Sequence, residues 1–106
     1  MSGGEAQGER RLRITEAHLH PHLRTRMHQR GITLEEIERV MNEGWEAPDA
    51  KPGTWGRVLV FPYGREWEGQ YFEEKEVRVY YKLTPEGIVL LTAIARYGKG
   101  FLRREE

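Results

Sequence analysis

Residues 22–36 read HLRTRMHQRGITLEE, and this stretch predicts two helices joined by a tight turn. Leu23 and Met27 are four residues apart, so they lie on one face of the first helix. Pro21 fits the first turn of this helix, where the N–H group that proline lacks has no helical partner. Gly31 is expected to end the helix, because glycine readily adopts the left-handed conformation of a helix C-terminus.

The second helix is predicted to begin at Thr33. Thr33 and Glu36 have the spacing of a capping box, in which each side chain binds the other residue's backbone N–H group. Gly44 is expected to end the helix. Apolar residues at spacings of three and four predict one buried stripe, formed by Leu34, Ile37, Val40 and Met41.

A loop over Glu46–Gly56 separates the helices from a segment in which apolar and polar residues alternate, as in a sheet. The predicted strands are Arg57–Phe61 (ending at Pro62), Trp67–Phe72, Val77–Leu83 and Ile88–Ala95. We expect turns at Tyr63–Arg65 and Thr84–Gly87, and a break at the charged run Glu73–Glu76. Ile88–Ala95 is apolar on both faces, which favours a central strand covered on both sides.

The predicted fold class is α+β, with two N-terminal helices followed by a three- to four-stranded antiparallel sheet. Residues 11–98 form the single domain, in which Arg11–Thr15 is expected to be a short edge strand. Residues 1–10 have almost nothing to bury and are predicted to be a disordered tail. Residues 99–106 are predicted to be a C-terminal tail.

The composition excludes several classes of protein. The 17 Lys and Arg residues cancel the 17 Asp and Glu residues, so any nucleic-acid binding must come from a local patch. The absence of cysteine excludes disulfides, thiol catalysis and thiolate metal sites. No apolar run is long enough for a membrane span or a signal peptide, and we therefore expect a cytoplasmic protein without a membrane partner.

Three histidines alternate at His18, His20 and His22. In an extended chain His18 and His20 would face the same way and present two imidazoles to a metal ion. We favour solvated or packed histidines, because no cysteine is present and no Asp or Glu has a tight ligand spacing. Neither a cofactor nor a metal is predicted, although a small metal-binding protein remains an alternative.

Charge is distributed in two blocks along the helices. Residues 10–30 carry six arginines against Glu16, whereas residues 33–49 carry six acids against Arg39. The favoured interpretation is that the two helices pair through salt bridges on a solvated surface. The alternative is that the first block forms a surface for an anionic ligand.

Another set of cations is predicted on the sheet. Arg78, Tyr80 and Lys82 alternate along one strand and share a face, and Arg96 ends the neighbouring strand. Two cations neutralise a phosphate and lower the pKa of a nearby phenol, so these groups suffice for RNA cleavage without a metal. The simpler interpretation is a polar outer face with an aromatic residue of high β-propensity.

The segment His22–Thr33 resembles the H-x-x-x-R-M-x-x-R-G-I-[ST] signature of a family of small bacterial proteins of unassigned function, grouped with RelE-like toxins. Glu35-Glu36-Ile37 follows, as in that family, and the resemblance covers about residues 14–97. The ending Thr92–Arg96 is also similar to the Ile-Ser-Ala-Arg ending of BrnT-type toxins. The resemblance implies a RelE-like fold and a ribonuclease that is paired with an antitoxin.

Three functions follow as hypotheses: a toxin-type, metal-independent ribonuclease, a non-catalytic RNA- or protein-binding module of the same fold, and a metal-binding protein that uses the histidine row. The partners under consideration are RNA, an antitoxin protein and a second copy of the chain. The candidate catalytic residues are Arg78, Tyr80, Lys82, Arg96 and His22. The candidate RNA-binding residues are Arg26, Arg30, Tyr97 and Lys99.

Overall fold

The computed structural model describes residues 11–103, so the predicted disordered tail at residues 1–10 and the last three residues lie outside the described residues. A short 3-10 helix, Glu16–His18, comes before two α-helices, α1 (Pro21–Arg30) and α2 (Leu34–Glu43). Four strands follow: β1 (Trp45–Glu46), β2 (Trp55–Trp67), β3 (Gln70–Thr84) and β4 (Gly87–Gly98).

Both predicted helices are confirmed, together with the residues that begin and end them. His20 caps α1, because its Nδ1 accepts the backbone N–H of His22 at 3.2 Å. Gly31 ends α1 with a φ of 70°, in the left-handed region. The capping box of α2 is complete, since Thr33 Oγ1 accepts from the Glu36 N–H and Glu36 Oε1 accepts from the Thr33 N–H.

The four strands form one antiparallel sheet in the order β1-β2-β3-β4, which confirms the α+β class. Both helices pack on the same face of this sheet, α1 against β4 and α2 against β2 and β3. The core between the helices and the sheet contains Leu23, Met27, Ile37, Val40, Met41, Val77, Val79, Leu90 and Ala93. The opposite face, pointing away from the helices, is called the open face below.

The β2–β3 hairpin is longer than predicted. Its turn is at Glu68 and Gly69, which have φ angles of 53° and 86°. The predicted turn at Tyr63–Arg65 and the predicted separate strand Trp67–Phe72 are therefore wrong. The strand continues past Pro62 because the register shifts between Pro62 and Arg65, and such an irregularity accommodates a proline that cannot donate a hydrogen bond.

The predicted break at Glu73–Glu76 is also wrong, because β3 runs through it without interruption. The charges are tolerated inside a strand since each has a partner. Lys75 binds Glu36, Glu76 binds two arginines, and Glu74 binds Arg103. Paired charges can be buried where single ones cannot.

The expectation that Ile88–Ala95 forms a central strand is wrong, because β4 is the last strand of the sheet. Its helix-facing residues Leu90 and Ala93 are fully buried, whereas Ile94 on the open face is 38% exposed. The outer edge of β4 is covered by α1 and the segment before it. The His20 N–H donates to Leu90 O at 2.9 Å, and Arg30 donates to Ala93 O at 2.7 Å.

Arg11–Thr15 does not form the predicted edge strand. Side chains of α2 take the hydrogen bonds that a neighbouring strand would have made. The Leu12 N–H donates to Asn42 Oδ1 at 2.7 Å, and the Ile14 N–H donates to Glu38 Oε2 at 2.8 Å. The N-terminal segment therefore lies along a helix and does not extend the sheet.

The predicted loop Glu46–Gly56 is shorter in the structure, because Trp45 and Glu46 pair with Val58 and Arg57 of β2. After β4, the described part of the C-terminal segment folds back onto the sheet. The Phe101 N–H donates to Glu74 at 3.0 Å, and Arg103 forms an ion pair with the same carboxylate.

Candidate functional site

Arg78, Tyr80 and Arg96 lie on the open face. Arg78 and Tyr80 alternate with Val77 and Val79, which are buried in the core on the opposite face. Arg78 Nε and Arg96 Nη1 both approach Glu76 Oε1, at 3.3 and 3.4 Å. The two arginines are thus drawn together around one carboxylate.

Carboxylates neutralise this group of cations. Glu76 is 4% exposed and lies between Arg78 and Arg96. Asp49, from the β1–β2 loop, accepts hydrogen bonds from Tyr80 at 3.0 and 3.1 Å and from Arg78 at 3.3 Å. Two arginines therefore face two carboxylates, and the cluster has no net charge with which to attract a phosphate.

The pKa of Tyr80 is raised, which overturns the expectation that nearby cations lower it. Burial of the phenol is the main cause, and the Asp49 carboxylate adds to it, while Arg78 acts in the opposite direction without outweighing them. The Tyr80 hydroxyl is therefore protonated at neutral pH, and it can donate a proton but not accept one.

The five candidate catalytic residues do not form one group. Tyr80 is in register with Thr92, whereas Arg96 is in register with Glu76, about 13 Å away along β4. Lys82 is exposed and lies further toward the Thr84–Gly87 turn. The structure thus separates Arg96 from the His22 end of the sheet.

Two of the candidate RNA-binding residues, Arg30 and Tyr97, form hydrogen bonds that connect α1 to β4. Arg30 donates to Ala93 O at 2.7 Å, and the Tyr97 hydroxyl donates to Arg30 O at 2.8 Å. The Tyr97 ring also stacks on Trp67, with the centroids 5.1 Å apart. Lys99 is exposed near the β2–β3 hairpin, where it borders a shallow cleft with Tyr71.

Lys75 connects the turn between the helices to the sheet. This side chain is 1% exposed, and its Nζ donates to Gly31 O at 2.6 Å and to the Glu36 carboxylate at 2.8 and 2.9 Å. The rings of Tyr63 and Tyr97 lie 5.5 and 5.4 Å from the same nitrogen. Gly31 of the signature and Glu36 of the segment that follows it therefore have a structural role.

Sequence reasoning missed Lys75, Glu76 and Asp49. Lys75 continues the alternation of Val77 and Val79 by one step, and this pattern would have placed it on the buried face. Asp49 carries no such signal, because it contacts Tyr80 from a loop 31 residues away.

Two clefts share lining residues of β4. One is lined by His20, His22 and Arg26 of the α1 region together with Leu91 and Thr92. The other, of about 290 Å³, is lined by Asp49, Lys51, Thr54, Tyr80, Leu91, Thr92 and Ile94. Leu91 and Thr92 line both clefts, so the clefts are neighbours along β4, and we call the two together the α1–β4 seam.

Two cations border the seam, Arg26 on the side of α1 and Lys51 on the side of the β1–β2 loop. Within residues 11–103, Arg26 and Lys51 form no salt bridge, whereas Arg24 of the same helix pairs with Glu16 at 3.1 Å. The expected salt bridges between the two helices do not occur in the described part of the chain. Two acids of α2 are bound elsewhere, Glu36 by Lys75 and Glu43 by Arg11 and Arg39.

The histidine row does not converge on one point. His18 lies in the 3-10 helix, with its ring against Thr15. His20 and His22 stack with their centroids 5.2 Å apart. Among residues 11–103, no three His, Asp or Glu side chains form a group that would hold a metal ion.

None of the helices in the described part of the chain is long and apolar enough to cross a membrane. A search of the curated proteins and a search of the solved structures each gave no significant match. The model of the family DUF4258, described as a domain of unknown function, matches residues 19–95, which include α1, α2 and nearly all of the sheet. Because this match spans more than half of the sequence, the chain belongs to the DUF4258 family.

Proposed function

We propose that this protein binds single-stranded RNA in the α1–β4 seam and is a RelE-like member of its family. The observation that carries the proposal is the chemistry of the seam. Arg26 and Lys51 supply cations that form no salt bridge within residues 11–103, the Tyr80 ring supplies an aromatic surface, and all three line clefts that include Leu91 and Thr92. Single strands are bound by such combinations of basic grooves and aromatic rings.

The seam suits a polyanion better than the predicted group on the open face. A phosphate between Arg78 and Arg96 would have to displace the buried Glu76 carboxylate that binds both of them. In the seam a phosphate would meet Arg26 and Lys51 without displacing an acid bound to either. Since the formal net charge of the chain is zero, binding depends on this local patch and should weaken steeply with salt.

The test is the affinity for a short labelled single-stranded RNA, measured by fluorescence anisotropy over a range of salt concentrations. Arg26→Ala should weaken binding roughly five- to ten-fold and reduce the salt slope by about 0.7, the value for one lost phosphate contact. Arg24→Ala is the matched control, because it removes the same charge from the same helix but from a residue paired with Glu16.

Equal losses of RNA affinity in the Arg24→Ala and Arg26→Ala variants would mean that α1 acts only through its overall charge. The seam would then not be the binding site. No measurable binding by the wild-type protein at low salt would exclude the proposed function altogether.

A second candidate function, metal-independent RNA cleavage, is favoured by the position of two protonatable groups. His22 and Tyr80 border the seam from opposite sides, next to Thr92. A neutral His22 would take the proton of the ribose 2′-OH, which attacks the adjacent phosphorus. Tyr80, kept protonated by its raised pKa, would donate a proton to the departing 5′-oxygen, leaving a 2′,3′-cyclic phosphate and a 5′-hydroxyl.

Cleavage is tested with end-labelled RNA in the presence of EDTA. We expect Tyr80→Phe and His22→Gln each to reduce the cleavage rate at least about 100-fold, while RNA affinity changes little. Because the protonated phenol is the active form, activity on the alkaline side should persist until the pH rises above the ordinary tyrosine value of about 10. If wild-type protein binds RNA and leaves it intact, free or on ribosomes, the binding function alone is retained.

A ribonuclease of this kind would act on cytoplasmic RNA and would need an antitoxin partner, as in the toxins that the signature resembles. Expression of the chain without a partner should then slow growth, and Tyr80→Phe should relieve the effect. A cell that tolerates the wild-type protein without a partner would contradict the toxin proposal.

A further inference from the structure

Asp49 is held against the open face by hydrogen bonds that a phosphate would also accept. Its carboxylate oxygens lie 3.0 and 3.1 Å from the Tyr80 hydroxyl and 3.3 Å from Arg78 Nη1. A phenol and a guanidinium are donors that proteins use for phosphate oxygens as well as for carboxylates. Asp49 and Tyr80 both line the cleft of the seam that contains Lys51, so the Tyr80 hydroxyl faces the proposed RNA site, and Arg78 adjoins that site through its hydrogen bond to Asp49.

The two carboxylates that bind Arg78 differ in their surroundings. The Glu76 side chain is 5% exposed and belongs to the middle of β3, so it cannot leave without disrupting the sheet. The Asp49 side chain is 58% exposed and lies in the loop between β1 and β2. Moving the Asp49 carboxylate into water therefore costs little, since exposed ion pairs contribute little to stability.

We propose that Asp49 is a built-in competitor of RNA, whose carboxylate occupies a phosphate position in the free protein and is displaced when RNA binds. The inference rests on the proposed function, because it concerns the same groove. Displacement exchanges one anion on Tyr80 and Arg78 for another, while Glu76 continues to neutralise part of the Arg78 charge. The Asp49 loop thereby sets the affinity of the seam and favours strands that present a phosphate beside Tyr80.

Asp49→Asn tests this inference, since it removes the charge and keeps a side chain of the same size. We expect the variant to bind single-stranded RNA roughly five-fold or more tightly than wild type, with a steeper salt dependence. Glu46→Gln is the matched control. It removes one negative charge from an exposed residue only three positions away, at the end of β1 just before the same loop, and that residue forms no salt bridge within residues 11–103.

A second variant tests whether the gain comes through the phosphate position itself. In a Tyr80→Phe background the gain from Asp49→Asn should shrink, because one of the two donors is missing. An undiminished gain would show that Asp49 acts through general charge and would overturn the inference. Thermal melting of each variant verifies that it is folded, and Asp49→Ala replaces Asp49→Asn if the latter is not.

The outcomes separate the two proposals. If the wild-type protein binds RNA through Arg26 but Asp49→Asn gives no gain, or no more than Glu46→Gln, the inference about Asp49 is wrong and the proposed function stands. If neither wild type nor Asp49→Asn binds RNA at low salt, the proposed function fails and the inference fails with it.

Discussion

At the scale of the residue, Gly31 is constrained in two ways. Its φ of 70° favours glycine, and a Cβ there would lie 2.5 Å from the Trp67 ring and 2.9 Å from the Tyr97 hydroxyl. The sequence predicted the first constraint, because a helix followed by Gly and a capping box is a local pattern. It contained no signal for the second, which depends on a hairpin that reaches the turn from more than 30 positions away.

We therefore predict that Gly31→Ala destabilises the protein by more than the cost of a left-handed alanine, which is about 1 kcal/mol. Gly53→Ala is the matched control, since Gly53 also has a positive φ of 85° but no described atom lies within 4 Å of the added Cβ. Thermal or urea unfolding of both variants gives the comparison. Equal losses of stability would mean that the contact with Trp67 adds nothing.

Lys75 gives the second prediction at this scale. Lys75→Met should reduce the free energy of unfolding by about 3 kcal/mol, because it leaves the Glu36 carboxylate and the Gly31 carbonyl without their buried partner. Removal of one partner from a buried ion pair usually costs roughly 3–5 kcal/mol, and we expect the lower end of this range because the Glu36 side chain is 17% exposed. Lys82→Met, at an exposed position of the same strand, should change stability by less than about 0.5 kcal/mol. Similar unfolding midpoints for the two variants would contradict this role of Lys75.

At the scale of the element, local signals were sufficient for the helices and insufficient for the sheet. Helix ends depend on neighbouring residues, as in the Thr33–Glu36 capping box. Strand ends depend on distant ones: Glu73–Glu76 continues β3 because Glu36, Arg96 and Arg103 supply partners from other parts of the chain. The position of β4 at the edge of the sheet likewise depended on how α1 covers it.

Tyr97 connects β4 to the end of α1, and its ionisation should be visible in the stability of the protein. Burial raises the pKa of Tyr97, and the nearby Tyr63, Glu36 and Glu68 add to the shift. A group whose pKa is raised on folding stabilises the protein below its unfolded pKa, here about 10, and that contribution is lost as the pH rises further.

The melting temperature of the wild-type protein should therefore fall as the pH rises above about 10. The melting temperature of the Tyr97→Phe variant should fall less steeply over the same interval. Tyr71→Phe, which alters a side chain 60% exposed, is the control and should follow the wild-type profile. A Tyr97→Phe profile parallel to that of wild type would contradict this assignment.

At the scale of the whole molecule, a formal net charge of zero conceals an uneven distribution. Glu36 and Glu43 of α2 and Glu76 of β3 are bound by Arg11, Arg39, Lys75, Arg78 and Arg96, whereas Arg26 and Lys51 beside β4 form no salt bridge in the described part of the chain. The sequence predicted the basic and acidic blocks but not which cations would be neutralised. Which cations are neutralised depends on ion pairs between residues distant in the sequence. Because such pairs neutralise Arg78 and Arg96, the seam is the better candidate site.

The most direct test of the account is an NMR titration of the isotope-labelled protein with a short single-stranded RNA. We predict that the amide signals of Leu91, Thr92 and the Arg26 turn of α1 shift, while those of the β2–β3 hairpin at residues 66–73 do not. Shifts confined to the hairpin, or none at saturating RNA and low salt, would contradict the proposal that the α1–β4 seam binds RNA.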